Sequence, residues 1–421
     1  MYKDARSFLA GLGLALLLPG YAAAELRPAS NAFEIAKEIS FGIGVDPSGG
    51  AADLTRSQIT VAAVSGGFAV AWAEERLFQP EVTESAVRGR VVGLDGTVGA
   101  EFSASQPDGA GAVRRVACPS LASLGGGRFA LAWAQDQALG RDLWLQRFTP
   151  QAVADGAPAA HFVAAQSLHD QPWVAGSPSG RSVLAWQETR IGALGKVETV
   201  YRAQAFAADG RAATPAIELA VVPRSTFRPA VAVDLAGRFT AVWLVPNGAT
   251  STSALWTQSF RADGTPLRPA ERLGRSAVDA VAAVRKGAQT TVLWAQRTAD
   301  GTRLMGSTLG LDGRPRGLAQ PLVEGLTGFA SPTLLAAATG DFVLAWLDGD
   351  RLRALTLGAD LAAKGTIVEI AYARPYLPLV RGQGVGAALS GSKLLLAWAG
   401  ELPPGLCPEN AVRGQLFDLA P

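Results

Sequence analysis

A tryptophan that closes a short apolar run returns seven times along this chain, at Trp72, Trp133, Trp186, Trp243, Trp294, Trp346 and Trp398. The intervals are 61, 53, 57, 51, 52 and 52 residues. A period near fifty leaves few options. One repeat of that size cannot bury its own apolar face, so copies stack into a propeller or a solenoid. The clearest copy runs from Gly340 to Trp346, Gly-Asp-Phe-Val-Leu-Ala-Trp. In the first copy Phe68, Val70 and Trp72 alternate with Ala69 and Ala71. That is a strand with large side chains on one face and alanines on the other, suited to neighbours that interdigitate large against small.

Each repeat divides into four strands. In the first, Ile59 to Val64 reads as an inner strand, Phe68 to Ala73 as the second, Ala86 to Leu94 as the third and Ala100 to Ala104 as the outer one. Third strands run into Asp-Gly at Asp95-Gly96, Asp209-Gly210, Asp263-Gly264 and Asp312-Gly313. Asp-Gly between alternating runs marks a hairpin, because the turn needs a positive φ. The second and sixth repeats depart from this: Asp155-Gly156 lies late, and Asp360 lacks its glycine. The seventh repeat ends after its third strand, while Ala32 to Ile39 resembles an outer strand with no repeat of its own. Pairing the two closes a ring and removes the sheet edge between the termini. The expected fold is all-β: a seven-bladed β-propeller of four-stranded antiparallel blades, with the N-terminal strand closing the last blade. A solenoid is the alternative, although open arrays carry distinct caps at both ends.

The chain of 421 residues has 48 glycines and 25 prolines, as expected of many short strands joined by turns. Lys3 and Arg6, the apolar run Phe8 to Leu18 and Ala22-Ala23-Ala24 have the layout of an export signal covering residues 1–24. The propeller is expected over 25–421, periplasmic or secreted, with no transmembrane segment in the mature chain. A formal net charge of +2 gives no global attraction to nucleic acid or to an anionic membrane.

The repeated Gly-x-Phe-x-x-x-Trp, the Gln-x-Phe-x-x-Asp-Gly of the third strands and the apolar closing strand resemble exported bacterial seven-bladed β-propellers, over roughly residues 32–421. The resemblance implies the fold and brings no catalytic residues with it. The Trp-Asp ending of WD40 repeats is missing: Ala73 follows Trp72, and Gln187 follows Trp186. The sialidase-type Ser-x-Asp-x-Gly-x-x-Trp box and the calcium loop of integrin-like propellers are missing too.

His161 and His169 are the only histidines, and no cluster at metal-ligand spacing surrounds them, so each is read as a surface or packed residue. No metal, cofactor or catalytic residue is assigned. Propeller topology puts the loops between second and third strands at the channel mouth, together with the crossings between blades. Two residues beyond the repeat tryptophans stand Glu74, Gln135, Glu188, Val245, Gln296, Asp348 and Gly400. Three acids among them invite a paired acid and base for sugar chemistry, against the plainer reading that strand ends are polar because they meet water. The crossings carry Arg56, Arg114 and Arg115, Arg224 and Arg228, Arg275, and Arg374 and Arg381, while the third has His169-Asp170. A cationic rim of this kind favours an anionic ligand, although this chain uses arginine freely and solvated arginines are the plainer reading. Cys118 and Cys407 both fall on the mouth side, where export permits a disulfide between them. One aspartate per Asp-Gly turn is too few oxygens for calcium, and turn chemistry accounts for it.

The function expected on this basis is an exported non-enzymatic binding or scaffolding propeller. Its partner would be an envelope or extracellular protein, or an anionic glycan, and not nucleic acid. The alternative is a carbohydrate-active hydrolase or lyase with carboxylates at the channel mouth.

Overall fold

The computed structural model describes residues 25–36, 59–78, 81–105, 115–137, 140–158, 160–162, 167–192, 195–223, 225, 228–248, 252–326, 332–348, 351–372, 385–400 and 411–420. Apart from one short 3-10 turn, Gly125–Gly127, their regular structure is β. The proposed export signal lies outside the described residues, as do Arg56, Arg114, Arg224, Arg374, Arg381 and Cys407.

The strands form consecutive antiparallel groups of four. The first group is Thr60–Val64, Gly67–Phe78, Glu81–Gly93 and Val98–Ser103. The second is Val116–Ser123, Phe129–Gln137, Gly140–Phe148 and Ala160–Phe162, and the third is Leu168–Gly176, Ser182–Ile191, Val197–Phe206 and Ile217–Pro223. The fourth, Ala230–Val233, Phe239–Pro246 and Ser253–Phe260, ends on a long strand, Glu271–Lys286. That strand continues without interruption as the inner strand of the fifth group, ahead of Gln289–Thr298, Gly301–Leu309 and Gln320–Leu326. Arg275, expected in a crossing loop, therefore lies within a strand. The sixth group is Thr333–Ala336, Phe342–Asp348, Arg351–Leu357 and Val368–Tyr372, and the last is Val385–Ser390, Lys393–Gly400 and Ala411–Ala420.

The inner strands touch in sequence around a ring, and Val385–Ser390 returns to Thr60–Val64. The apolar packing closes the same circle. Phe129, Leu131 and Trp133 of the second group sit against Ala69, Ala71 and Ala73 of the first. Phe68, Val70 and Trp72 of the first sit against Leu395 and Ala397 of the last. All seven repeat tryptophans are buried. The alternation of large and small residues is thus the packing code: each sheet offers alanines to one neighbour and aromatics to the other. Gly386 lies at the closing seam, where an added Cβ would meet Val61 Cγ2 at 2.6 Å and Thr60 backbone at 3.1 Å.

The missing outer strand of the last group comes from the N-terminus, as expected, but in two pieces. Glu25–Pro28 and Phe33–Ala36 both pair antiparallel with Ala411–Ala420. Between them the Ser30 hydroxyl accepts from Leu416 N at 3.1 Å, and Gln415 Nε2 donates to Ser30 O at 3.0 Å. The clasp begins earlier than Ala32 because these side chains replace ladder hydrogen bonds across the bend.

The Asp-Gly turns use aspartate as turn chemistry requires. Asp95, Asp209 and Asp263 each accept the backbone N–H two residues on, at 2.9, 3.0 and 2.9 Å. Those hydrogen bonds, after the Thr265 hydroxyl in the case of Asp263, hold the three carboxyls below their ordinary pKa. The second and sixth repeats keep the same turn with Ala152 at φ +60° and Leu361 at φ +66° in the glycine position. Leu361 tolerates the conformation because its side chain is buried in the core.

Candidate functional site

The three acids beyond the repeat tryptophans turn out to be parts of one repeated device. Arg88, Arg202 and Arg353 stand opposite Trp72, Trp186 and Trp346 in the neighbouring strand. Each arginine bridges the acid two residues beyond that tryptophan to a glutamate on the outer strand. Arg88 lies 3.4 Å from Glu74 and 2.7 Å from Glu101. Arg202 lies 2.5 Å from Glu188 and 3.8 Å from Glu218, and Arg353 lies 2.7 Å from Asp348 and 3.7 Å from Glu369. Where the cross-strand partner is Trp144, Trp256 or Met305, the equivalent residue is uncharged: Gln135, Val245 or Gln296. Acid and arginine therefore come and go together in six of the seven repeats; Trp398 faces Arg413 with Gly400 in the acid's place. Glu74, Glu188 and Asp348 sit on three separate sheets, each locked across its own blade.

A second set of polar and charged residues lies on the inner strands of the second and third groups, on Phe129–Gln137 and Gly140–Phe148, and at the crossing into the fourth group. Asp170, with its side chain 9% exposed, accepts from Arg141 Nη1 at 2.5 Å and from Gln171 N at 2.8 Å. Arg141 also reaches Asp136 at 2.6 Å, and Cys118 Sγ sits 3.5 Å from Asp170 Oδ1. Cys118 and Gln171 have φ of +53° and +52°. Each precedes a proline, Pro119 or Pro172, at a break in strand register. Backbone held in the left-handed region by non-glycine residues costs about 1 kcal/mol or more and is concentrated at functional sites. Here it occurs at equivalent places on adjacent inner strands.

Trp173 follows the second of these breaks. Pairing with the residue before each repeat tryptophan defines one layer of the ring: Thr60, Ser120, Trp173, Ala230, Ala282, Thr333 and Gly386. Six are small and one is tryptophan. Thr60 and Ser120 use their hydroxyls to accept N–H groups of the next inner strand, from Leu121 at 2.9 Å and Val174 at 3.1 Å. Trp173 instead packs against three apolar clusters, those between the third and fourth, fourth and fifth, and fifth and sixth sheets. A side chain that reaches all three lies across the centre of the ring and floors the mouth above it.

Arg228 stands on that floor, its guanidinium carbon 4.2 Å from the Trp173 ring centroid. Its side chain is half-buried among crowded protein atoms. Loss of hydration lowers its pKa to about 10, against a smaller opposing effect of Cys118. The crossing that carries it is pinned three residues earlier: Tyr201 and Ser225 hydroxyls are 2.7 Å apart, and Ser225 N donates to Thr199 Oγ1 at 2.9 Å. Of the expected arginine rim, Arg228 alone is placed at the mouth with a described side-chain contact. Arg115 is half-buried, and its backbone oxygen accepts from Asp136 N.

His169 is a packed residue. Its ring meets Trp186 edge-on, and Nδ1 lies 3.2 Å from Phe162 O. Burial lowers its pKa, so it is neutral at pH 7. Among the described residues no group of three or more His, Cys, Asp or Glu is arranged to hold a metal, and no helix is long and apolar enough to cross a membrane. Reading the sequence named Asp170 only as part of the third crossing and passed over Asp136, Arg141 and Trp173. The available signal was a tryptophan outside the repeat position, beside the one crossing that carries His-Asp in place of arginine.

No family model matches this chain, and no curated protein does. Solved structures match at low identity. Penicillium chrysogenum alpha-L-arabinanase complexed with arabinobiose is 16% identical, covering 93% of this chain and 99% of that one, with a TM-score of 0.47. A polysaccharide lyase is 9% identical over 94% of this chain and 100% of its own, with a TM-score of 0.47. Trypanosoma rangeli sialidase in complex with the inhibitor DANA is 10% identical over 92% of this chain and 60% of its own, with a TM-score of 0.44. None of these three is the non-enzymatic scaffold expected from the sequence: their names are those of carbohydrate-active enzymes, which is said of them and not of this chain. Likeness this distant assigns no chemistry, which has to come from the residues at the mouth.

Proposed function

We propose that this protein is a carbohydrate-active enzyme that cleaves glycans at the mouth of a seven-bladed propeller formed by residues 25–421. We place it outside the cytoplasm, delivered by the signal at residues 1–24. The observation that carries the reading is Asp170. It is a buried carboxylate oriented by Arg141 and Gln171 N, beside a channel floored by Trp173. A fixed anion of this kind opposes the positive charge that develops at a sugar ring during glycosidic cleavage, or accepts a proton from the sugar in an elimination. In an elimination Asp170 takes the proton as the sugar's C–H bond breaks, a C=C bond forms, the neighbouring C–O bond breaks, and water protonates the departing oxygen.

The test is a panel of purified glycans incubated with full-length protein, read by new reducing ends and by ultraviolet absorbance of a new C=C bond. Asp170→Asn should lower turnover by about 10²-fold or more, while Glu74→Gln and Asp348→Asn lose stability and keep turnover. Loss of turnover in the latter two with Asp170→Asn unaffected would overturn this assignment. Cys118 is a buried thiol whose Sγ donates to Asp170 Oδ1, so the disulfide expected with Cys407, which lies outside the described residues, is not carried forward.

A further inference from the structure

We infer that Arg228, stacked on Trp173, is a subsite for an oxyanion carried by the sugar, either the carboxylate of a uronic acid or a sulfate ester. This rests on the reading of the mouth as a glycan site, and it names the class of glycan.

The inference starts from a charge without its counterpart. Four described arginines around this end of the ring, Arg88, Arg141, Arg202 and Arg353, are each bound to carboxylates. Arg228 has no carboxylate partner among the described residues: its guanidinium lies over the aromatic face of Trp173, and Cys118 is the group that acts on its charge. Stacking orders the guanidinium plane but leaves its N–H donors unused, because a ring face accepts through its centre and not at the donor fork. Enclosure strips water from the cation without replacing it by an anion. A desolvated charge is costly until paired. The chain nevertheless anchors the crossing that holds it there through the Thr199, Tyr201 and Ser225 network.

The position selects the partner. Arg228 precedes the inner strand Ala230–Val233 and so lies on the mouth side of the Trp173 floor. A macromolecular surface cannot reach a floor inside a ring, whereas one sugar residue bearing a planar anion can. The guanidinium offers two parallel donors to a carboxylate or sulfate, and stacking has already removed part of the rotamer entropy that binding would otherwise cost. Cys118 links the two groups: its Sγ lies 3.5 Å from Asp170 Oδ1, and it also acts electrostatically on Arg228.

Full-length protein is titrated calorimetrically with three probes: a uronate-ended oligosaccharide, its carboxyl-reduced neutral counterpart, and the neutral oligosaccharide carrying a sulfate. At least one acidic probe should bind about 10- to 100-fold more tightly than the neutral one. Which acidic probe wins tells carboxylate from sulfate. Arg228→Gln should abolish the preference, and Arg228→Lys should keep part of it. Phenylglyoxal modification of wild-type Arg228, followed by peptide mass spectrometry, needs no variant to fold, and the acidic probe should slow it where the neutral one does not. Equal binding of all probes, no binding of any acidic probe, a preference that survives Arg228→Gln, or no protection would each overturn the subsite. Cleavage of neutral glycans without an acidic preference sinks the subsite alone. Acidic binding with no cleavage of any glycan sinks the enzyme and leaves the subsite.

Discussion

Replacing Ile35 by alanine tests the clasp between the chain ends directly. Ile35 is 1% exposed and packs with Trp72, Leu395, Val412 and Leu416 in the cluster between the first and last sheets. Gly414 leaves the room it needs: an added Cβ there would stand 2.8 Å from Ile35 Cδ1. The substitution removes three carbons from a fully buried site, roughly 2.4 kcal/mol of transfer free energy at about 0.8 kcal/mol per carbon. A cavity of about 50 Å³ that stays open adds about 1 kcal/mol. A loss of about 3 kcal/mol follows, reduced where the short strand Phe33–Ala36 relaxes into the space. Chemical denaturation followed by far-ultraviolet circular dichroism and tryptophan fluorescence measures it. Leu318→Ala, at a side chain 97% exposed, is the control and should stay within about 0.5 kcal/mol of wild type. If Ile35→Ala is no more destabilising than Leu318→Ala, the N-terminal strand does not hold the ring together and the reasoning fails.

Other substitutions probe the seam, the turns and the buried titrating groups. Gly386→Ala should destabilise by about 1–3 kcal/mol, since its Cβ meets Thr60 backbone that cannot step aside; an unchanged midpoint would refute the tight seam. Ala152→Gly should stabilise by about 0.5–1 kcal/mol by relieving a positive φ, whereas Leu361→Gly should destabilise because a buried side chain is lost. His169 has a lowered pKa in the fold, so the unfolded chain binds protons first and stability falls as pH drops below about 6.5. His169→Gln should flatten that part of the pH–stability curve. Tyr201 has a raised pKa from burial, so stability falls as pH rises above about 10, and Tyr201→Phe should remove that loss while costing about 1 kcal/mol at neutral pH for the bond to Ser225.

The turns illustrate how far a local signal carries. Asp-Gly identified four hairpins because the required φ and the hydrogen bond to the next-but-one N–H are both local. The same signal failed at Ala152 and Leu361, where the turn persists without glycine. At Leu361 tertiary burial outweighs a local preference worth about 1 kcal/mol. The mouth acids show the converse. Glu74, Glu188 and Asp348 look alike as isolated positions and invite a catalytic reading. Their role becomes visible once Arg88, Arg202 and Arg353 are seen opposite the repeat tryptophans, a pairing that depends on strand register.

The sequence by itself determined the repeat, the alternation that lets aromatics of one sheet enter the alanines of the next, and the need for the N-terminal segment to complete the last group. These are properties of short windows and of their period, which the chain carries in one dimension. Tertiary structure decided which of several alike charged residues differ in kind. Trp173 floors the ring only because six residues from distant repeats leave room for it in the same layer. Arg228 differs from its neighbours only because folding surrounds it with protein and sets no carboxylate beside it among the described residues. Burial and counter-charge depend on strand register and on residues brought together from separate strands, so no local pattern records them.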